Sequence, residues 1–165
     1  MKDEFIEMIN QHRGILFKVS NLYCDAEEDR KDLFQEMVLQ LWKAYPRFRA
    51  ESAQSTWMYR IALNTSITRL RKEKREPGRR SLVDADFEIP DFVSGTDLNG
   101  DLTLLKQAIE QLNEIEKAII MLYLEEKSYQ EISEIMGITK SNVGVKLNRI
   151  KSKLEKIIKK DSHVR

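Results

Sequence analysis

The chain has 165 residues, 33% of them charged, with 28 Lys and Arg against 27 Asp and Glu, and only three Pro and six Gly. That length suits one compact domain or two small ones, and that composition suits a soluble, helix-rich protein. The longest apolar run, Ala118 to Leu124, is far too short to span a bilayer, and Asp3 and Glu4 precede any apolar stretch, so neither membrane insertion nor a secretory signal is expected. Cys24 is the single cysteine, which excludes an internal disulfide and is comfortable in the cytoplasm. His12 and His163 stand alone, so no metal set is expected, and His12, beside an apolar stripe, reads as a core-edge side chain.

The net charge of +1 conceals a block pattern. Residues 1–42 hold 5 basic and 9 acidic side chains, and residues 43–80 hold 11 and 3. Residues 81–126 hold 2 and 11, and residues 127–165 hold 10 and 4. Two separated basic blocks imply two anionic contacts, and the acidic blocks imply surfaces turned elsewhere.

In chain order, Phe5, Ile9, Leu16, Val19 and Tyr23 predict a long first helix with one apolar side. Asp25 and Glu28 have the spacing of a capping box for the next helix. That helix carries Leu33, Phe34, Met37, Val38, Leu41 and Trp42 and closes before Pro46, since proline disfavours helix in the residue before it. Arg47 to Ser55 is polar and turn-like. A third helix starts near Thr56 and runs through Trp57, Met58, Ile61, Ala62 and Leu70 into Arg71, Lys72, Lys74 and Arg75, a cluster that Arg69 makes five. One or two cations there would complement the helix dipole, and five exceed that need and point to phosphate. Trp57, at helical spacing from Ile61, reads first as a packing residue, as does Trp42.

Pro77 to Gly100 contains PGRR, EIPD, SGTD and LNGD without a helical or strand period, and reads as an acidic, mobile linker. Its 24 residues would extend to roughly 80 Å at most. Leu102, Leu105, Ala108, Ile109 and Leu112 then suggest a helix, and Asn113 with Glu116 caps another through Leu124.

Ser128 to Leu154 reads as helix, tight turn, helix. Ser128 and Glu131 have capping-box spacing, and Ile132, Ile135 and Met136 form one apolar side. Gly137 sits where the chain must leave the helix through the left-handed region. Ile138 fills the corner and Thr139 caps the next helix. Val143, Leu147, Ile150, Leu154 and Ile157 recur at steps of three or four as a buried stripe. Lys140, Ser141, Asn142, Lys146, Arg149 and Lys153 are expected on the opposite face. A basic, polar helix entered through a Gly turn suits a DNA major groove.

Three segments in order resemble the extracytoplasmic-function sigma factors of bacterial RNA polymerase. Asp32-Leu33-Phe34-Gln35-Glu36 running to Leu41-Trp42 is similar to that family's region 2 helix, which docks on core RNA polymerase. Phe48-Arg49 through Ser52, with Trp57-Met58-Tyr59-Arg60-Ile61-Ala62-Leu63-Asn64, is similar to its segment that melts and reads the minus-ten element. Ser128-Tyr129-Gln130-Glu131-Ile132 with Gly137-Ile138 and Val143 is similar to region 4, which reads the minus-thirty-five element. In one departure, Gly144 and Val145 stand where the family usually has polar or basic residues; Gly144 weakens the helix by roughly 1 kcal/mol relative to Ala, and Val145 offers an apolar contact, as to a thymine methyl.

The resemblance implies an all-α protein of two small helical domains, 1–76 (region 2) and 101–165 (region 4, ending in the helix-turn-helix), joined by the flexible acidic linker 77–100. It implies core RNA polymerase and promoter DNA, duplex and melted strand, as partners, and an anti-sigma factor as a third. Asp32, Gln35, Glu36 and Gln40 would face the polymerase. Arg49, Ser52, Arg60, Asn64 and Arg71 would serve the minus-ten element, and Lys140, Ser141, Asn142, Lys146 and Arg149 the minus-thirty-five element. No catalytic residue, metal or cofactor is implied. Two other classes stay open: a helix-turn-helix regulator binding an operator without polymerase, and an enzyme acting on nucleic acid. The second would need clustered ligands, and Asp84, Asp86, Glu88 and Asp91, the only acidic cluster, fall in the linker.

Overall fold

A computed structural model describes residues 1–75 and 100–163. All described elements are helical: α1 (Lys2–Gln11), α2 (Arg13–Tyr23), α3 (Glu27–Ala44), a 3-10 turn (Tyr45–Arg47), α4 (Gln54–Arg75), α5 (Gly100–Glu110), α6 (Glu114–Leu124), α7 (Tyr129–Met136) and α8 (Lys140–His163). They divide into two compact units, α1 to α4 and α5 to α8. The expected linker lies outside the described residues except for Gly100, which opens α5.

In the first unit α2, α3 and α4 pack on one another. Leu16 and Val19 of α2, Leu33, Met37 and Leu41 of α3, and Met58, Ala62 and Leu63 of α4 are buried where they meet. Two buried hydroxyls on these helices are satisfied by their own preceding turns: Ser20 donates to the Leu16 carbonyl and Ser66 to the Ala62 carbonyl, both at 2.8 Å.

The long first helix is two helices. His12 leaves helical geometry at φ −118°, ψ 24°, and α2 restarts at Arg13. Gly14, a weak helix former, lies just beyond. The break lets α1 lay Phe5 against the end of α3, with ring centroids 4.9 Å from Trp42 and 5.3 Å from Tyr45. Periodicity hid it because a single non-helical residue hardly disturbs the phase of Phe5, Leu16 and Tyr23. The Asp25–Glu28 capping box is also absent: α3 begins one residue later, with Ala26 at the N-cap and no side-chain cap. Glu27, Glu28 and Asp29 fill the first turn instead, where carboxylates complement the helix dipole. The Arg30 Nε–H ties that turn down by donating to the Cys24 carbonyl at 3.0 Å.

In the second unit α8 packs against α5, α6 and α7. Both expected capping boxes form. Glu116 N–H donates to Asn113 Oδ1 at 2.8 Å and Asn113 N–H to Glu116 Oε1 at 3.0 Å. Glu131 N–H donates to Ser128 Oγ at 3.1 Å and Ser128 N–H to Glu131 Oε1 at 3.3 Å. Gly137 is left-handed at φ 69°, ψ 33°. Ser133 Oγ–H closes the corner by donating to the Ile138 carbonyl at 2.6 Å. Thr139 Oγ1 accepts the Asn142 N–H at 3.1 Å, so it caps α8 as expected. Val143, Leu147, Ile150 and Leu154 are buried, each worth about 1.5–3 kcal/mol of transfer. Leu102, expected on the buried side of α5, is 57% exposed: it lies in the first turns of that helix, ahead of the buried Ala108 and Leu112.

Candidate nucleic-acid interface

The buried stripe of α8 fixes which side chains point out. Ser141, Val145, Asn148 and Ser152 recur at steps of four, three and four, and all are exposed. Arg149, also exposed, follows Val145 at a step of four. Lys140 and Asn142 are exposed in the first turn, beside the Thr139 cap. Lys146 is only half-buried and turned toward α6, where it helps to hold down the Glu116 carboxyl. Burial raises that carboxyl; the Asn113 N–H, the Lys153 ammonium 3.0 Å from Glu116 Oε1, and Lys146 outweigh the rise and leave it below the usual carboxylate range. On the other flank Lys151 lies over the Tyr123 ring, 4.2 Å from its centroid and 3.1 Å from its hydroxyl. Of the five residues expected on the DNA face, the structure therefore brings Lys140, Ser141, Asn142 and Arg149 to open surface and sets Lys146 on the flank. Asn148 and Ser152 were missed; the i, i+4, i+7, i+11 pattern from Ser141 through Val145 would have found them.

In the first unit Arg60, Asn64 and Arg71 share one exposed stripe of α4. Thr68 and Arg75 complete it at steps of four, and Thr68 had been overlooked. Trp57 heads the stripe and is half-buried, as its packing role requires. Its ring lies 4.7 Å from Phe48 and 6.4 Å from Tyr45, continuing the aromatic row from Phe5. That row anchors the segment carrying Arg49 (exposed) and Ser52 (half-buried) between the 3-10 turn and α4. Within it Ala50 takes φ 56°, a left-handed conformation that costs a non-glycine residue about 1 kcal/mol or more.

Arg69 does not join this stripe. Its guanidinium turns to α3, with Nη1 3.7 Å from Glu36 Oε2 and Nε 3.3 Å from Glu73 Oε1. Arg69, expected among the phosphate-binding cations, thus bridges α4 to α3. Glu36, expected on the polymerase face, is half of that bridge. Asp32 and Gln35 are exposed and Gln40 is half-buried on the same side of α3. Leu39, 48% exposed, lies among them and supplies an apolar element that polarity alone did not point to.

Cys24 is half-buried, and burial pushes its thiol up to about 11, so it is protonated near neutrality. Among the described residues, no three His, Cys, Asp or Glu gather as a metal set, and no helix is long and apolar enough to cross a membrane.

Comparison with known families matches two segments of the chain. Sigma-70 region 2 matches residues 8–76 and Sigma-70 region 4 matches residues 102–154. The ECF RNA polymerase sigma-E factor of Escherichia coli K12 is 31% identical over 149 residues, covering 80% of this chain and 77% of the relative. The ECF sigma factor SigW of Bacillus subtilis is 24% identical over 168 residues, covering 94% and 89%. Among solved structures, the sigma factor RpoE in complex with the anti-sigma factor NepR from Bartonella quintana is similar, with a TM-score of 0.69 at 20% identity over 96% of each chain. CnrH, solved in complex with the cytosolic domain of CnrY, has a TM-score of 0.68 at 18% identity, covering 98% of this chain and 91% of that one. At those identities the structural likeness is one of fold, and the family rests on the sequence matches. The chain belongs to the extracytoplasmic-function (ECF) RNA polymerase sigma factors, which bind the core enzyme and direct it to specific promoters.

Proposed function

We propose a division of this sigma function between the two units. Residues 101–165 act as region 4 and hold the minus-thirty-five duplex through Lys140, Ser141, Asn142 and Arg149, with Lys146 at the edge. Residues 1–76 act as region 2. In it Arg60 and Arg71 hold backbone phosphates, which position without specifying. Asn64 has the donor and acceptor to read a base edge, and the Arg49–Ser52 segment receives a base of the melted minus-ten strand. Asp32, Gln35 and Gln40, with Leu39, face the polymerase; Glu36 supports that face while holding Arg69. Residues 77–100 act as the linker.

The observation that carries the DNA-reading half is the α7–Gly137–α8 corner, which buries one stripe of α8 and leaves Ser141, Val145, Asn148, Ser152 and Arg149 facing out. The chain works in the cytoplasm as a non-enzymatic factor, and its free form is held by an anti-sigma factor, as the two structural neighbours are by their partners. Reconstitution tests the scheme: adding the chain to core polymerase should start transcription at a defined promoter set, and Asn64→Ala should impair opening while sparing duplex binding. Footprinting of an operator by the chain alone, without polymerase, would instead support a stand-alone regulator.

A further inference from the structure

We propose that Val145 is a specificity-determining residue whose side chain reads the C5-methyl of a thymine in the upstream promoter element. The proposal rests on α8 being the minus-thirty-five reader and names what the middle of its outward stripe recognises.

Val145 is 47% exposed in the second turn of α8, with Ser141 one turn before it and Arg149 one turn after. A lone exposed valine on an ordinary surface would call for no explanation. This one occupies the centre of the face that the fold turns outward, among hydrogen-bonding side chains. Helix stability does not account for it, since a β-branched residue loses side-chain freedom in a helix. Nor does packing account for the neighbouring glycine: a Cβ on Gly144 would meet Tyr129 Cε2 at 3.6 Å, an ordinary contact that the fold accommodates. Two poor helix formers in succession, in a helix that is otherwise well capped and well packed, mark a place where local preference yields to function.

The chemistry of the groove selects the target. Phosphates and guanine edges call for Arg or Lys, and adenine edges for Asn or Gln; the thymine methyl is the one apolar group that the major groove presents. Valine suits it, because its χ1 is held largely in one rotamer in a helix and its methyls are presented without ordering a long side chain. Ser141 and Arg149 on either side then supply polar readout of adjoining base pairs.

The test uses holoenzyme assembled from the full chain and core polymerase. Duplexes that bind are selected from a library randomised over the upstream element, and each thymine of the selected element is replaced by deoxyuridine, which lacks only the methyl. At one position the replacement should weaken wild-type binding about fourfold, the worth of one buried methyl-sized group. The same replacement should change binding of Val145→Ala holoenzyme by less than about twofold, because the partner of the methyl is already gone. If no thymine is sensitive, or if the deoxyuridine penalty is as large in Val145→Ala as in wild type, the proposal is overturned. Arg149→Ala separates the levels: weakened upstream binding without any thymine effect removes only the Val145 assignment. Unchanged upstream binding in both Arg149→Ala and Val145→Ala removes the α8 reading with it.

Discussion

Gly137 and Gly144 lie seven residues apart in the helix-turn-helix, and replacing each with alanine should shift stability in opposite directions. Neither change is limited by space: nothing lies within 4 Å of a Cβ built on Gly137, and one built on Gly144 meets Tyr129 at an ordinary 3.6 Å. The difference is backbone conformation. Gly137 holds φ 69°, where an L-residue pays about 1–2 kcal/mol. Part of that cost, about 0.4–1 kcal/mol, is returned because alanine has less freedom to lose from the unfolded chain. Gly137→Ala should therefore destabilise by about 1 kcal/mol. Gly144 is in regular helix, where alanine is the better residue by about 1 kcal/mol. The two variants should differ by roughly 2 kcal/mol, on the order of 10 °C in melting temperature for a unit of this size. The assay has an internal control. Trp42 and Trp57, the only tryptophans, both belong to the first unit, so tryptophan fluorescence follows that unit while far-UV circular dichroism follows both. Only the dichroism transition should move. If both variants destabilise alike, the left-handed corner is not what distinguishes the two glycines. If the fluorescence transition moves with them, the two units do not unfold independently.

The remaining predictions use the same surfaces. Glu126 closes α6 at φ 62°, with its N–H donating to the Tyr123 carbonyl and the Lys127 N–H to the Leu122 carbonyl, a turn that glycine favours; Glu126→Gly should raise the second unit's stability by about 0.5–1 kcal/mol in urea titration. Because the folded Glu116 carboxyl lies below its ordinary range, the stability it contributes is present above about pH 4.5 and is lost as pH falls through the lower folded value. Glu116→Gln should flatten the acid limb of the dichroism-monitored stability profile, and an unchanged limb would discount the Lys153 pair. Asp32→Ala with Gln35→Ala should lower co-purification with core polymerase at unchanged helix content; Glu36 is left out because its loss would also release Arg69. Asn64→Ala should lower permanganate reactivity of unpaired thymines at the minus-ten element, whereas Arg149→Ala should weaken upstream duplex binding by about 1–3 kcal/mol if it makes a bidentate base contact. Equal losses of duplex binding in the two would contradict the division of labour.

Much of this was legible in the residues because it is local. A capping box spans four residues, so Asn113–Glu116 and Ser128–Glu131 announce their helices without tertiary help. Gly137 marks its corner because only the backbone of one residue is at stake, and the stripe from Val143 to Leu154 is read from a period of three to four. The family, too, was visible in three short segments in order. Local pattern failed where two solutions were equally good locally. A helix through His12 keeps the same apolar phase as two helices broken there, and the break goes with Phe5 meeting Trp42 at the end of α3 and Tyr45 in the 3-10 turn, both far along the chain. Asp25 has cap spacing, yet the chain starts α3 at Glu27, with Ala26 as its cap.

Charge was the least readable property. Arg69 looked like one cation of a phosphate-binding run, and Lys146 like one of a DNA-facing set. Only packing α4 on α3 turns Arg69 to Glu36, and only packing α8 on α6 brings Lys146 and Lys153 near Glu116. The residues by themselves determined the helical class, the caps at Asn113, Ser128 and Thr139 and the buried stripe of α8, since these depend on neighbours three or four positions away. The tertiary structure alone decided that Arg69 meets Glu36 and Lys153 meets Glu116, because an ion pair between helices depends on how they meet and not on either helix's own period.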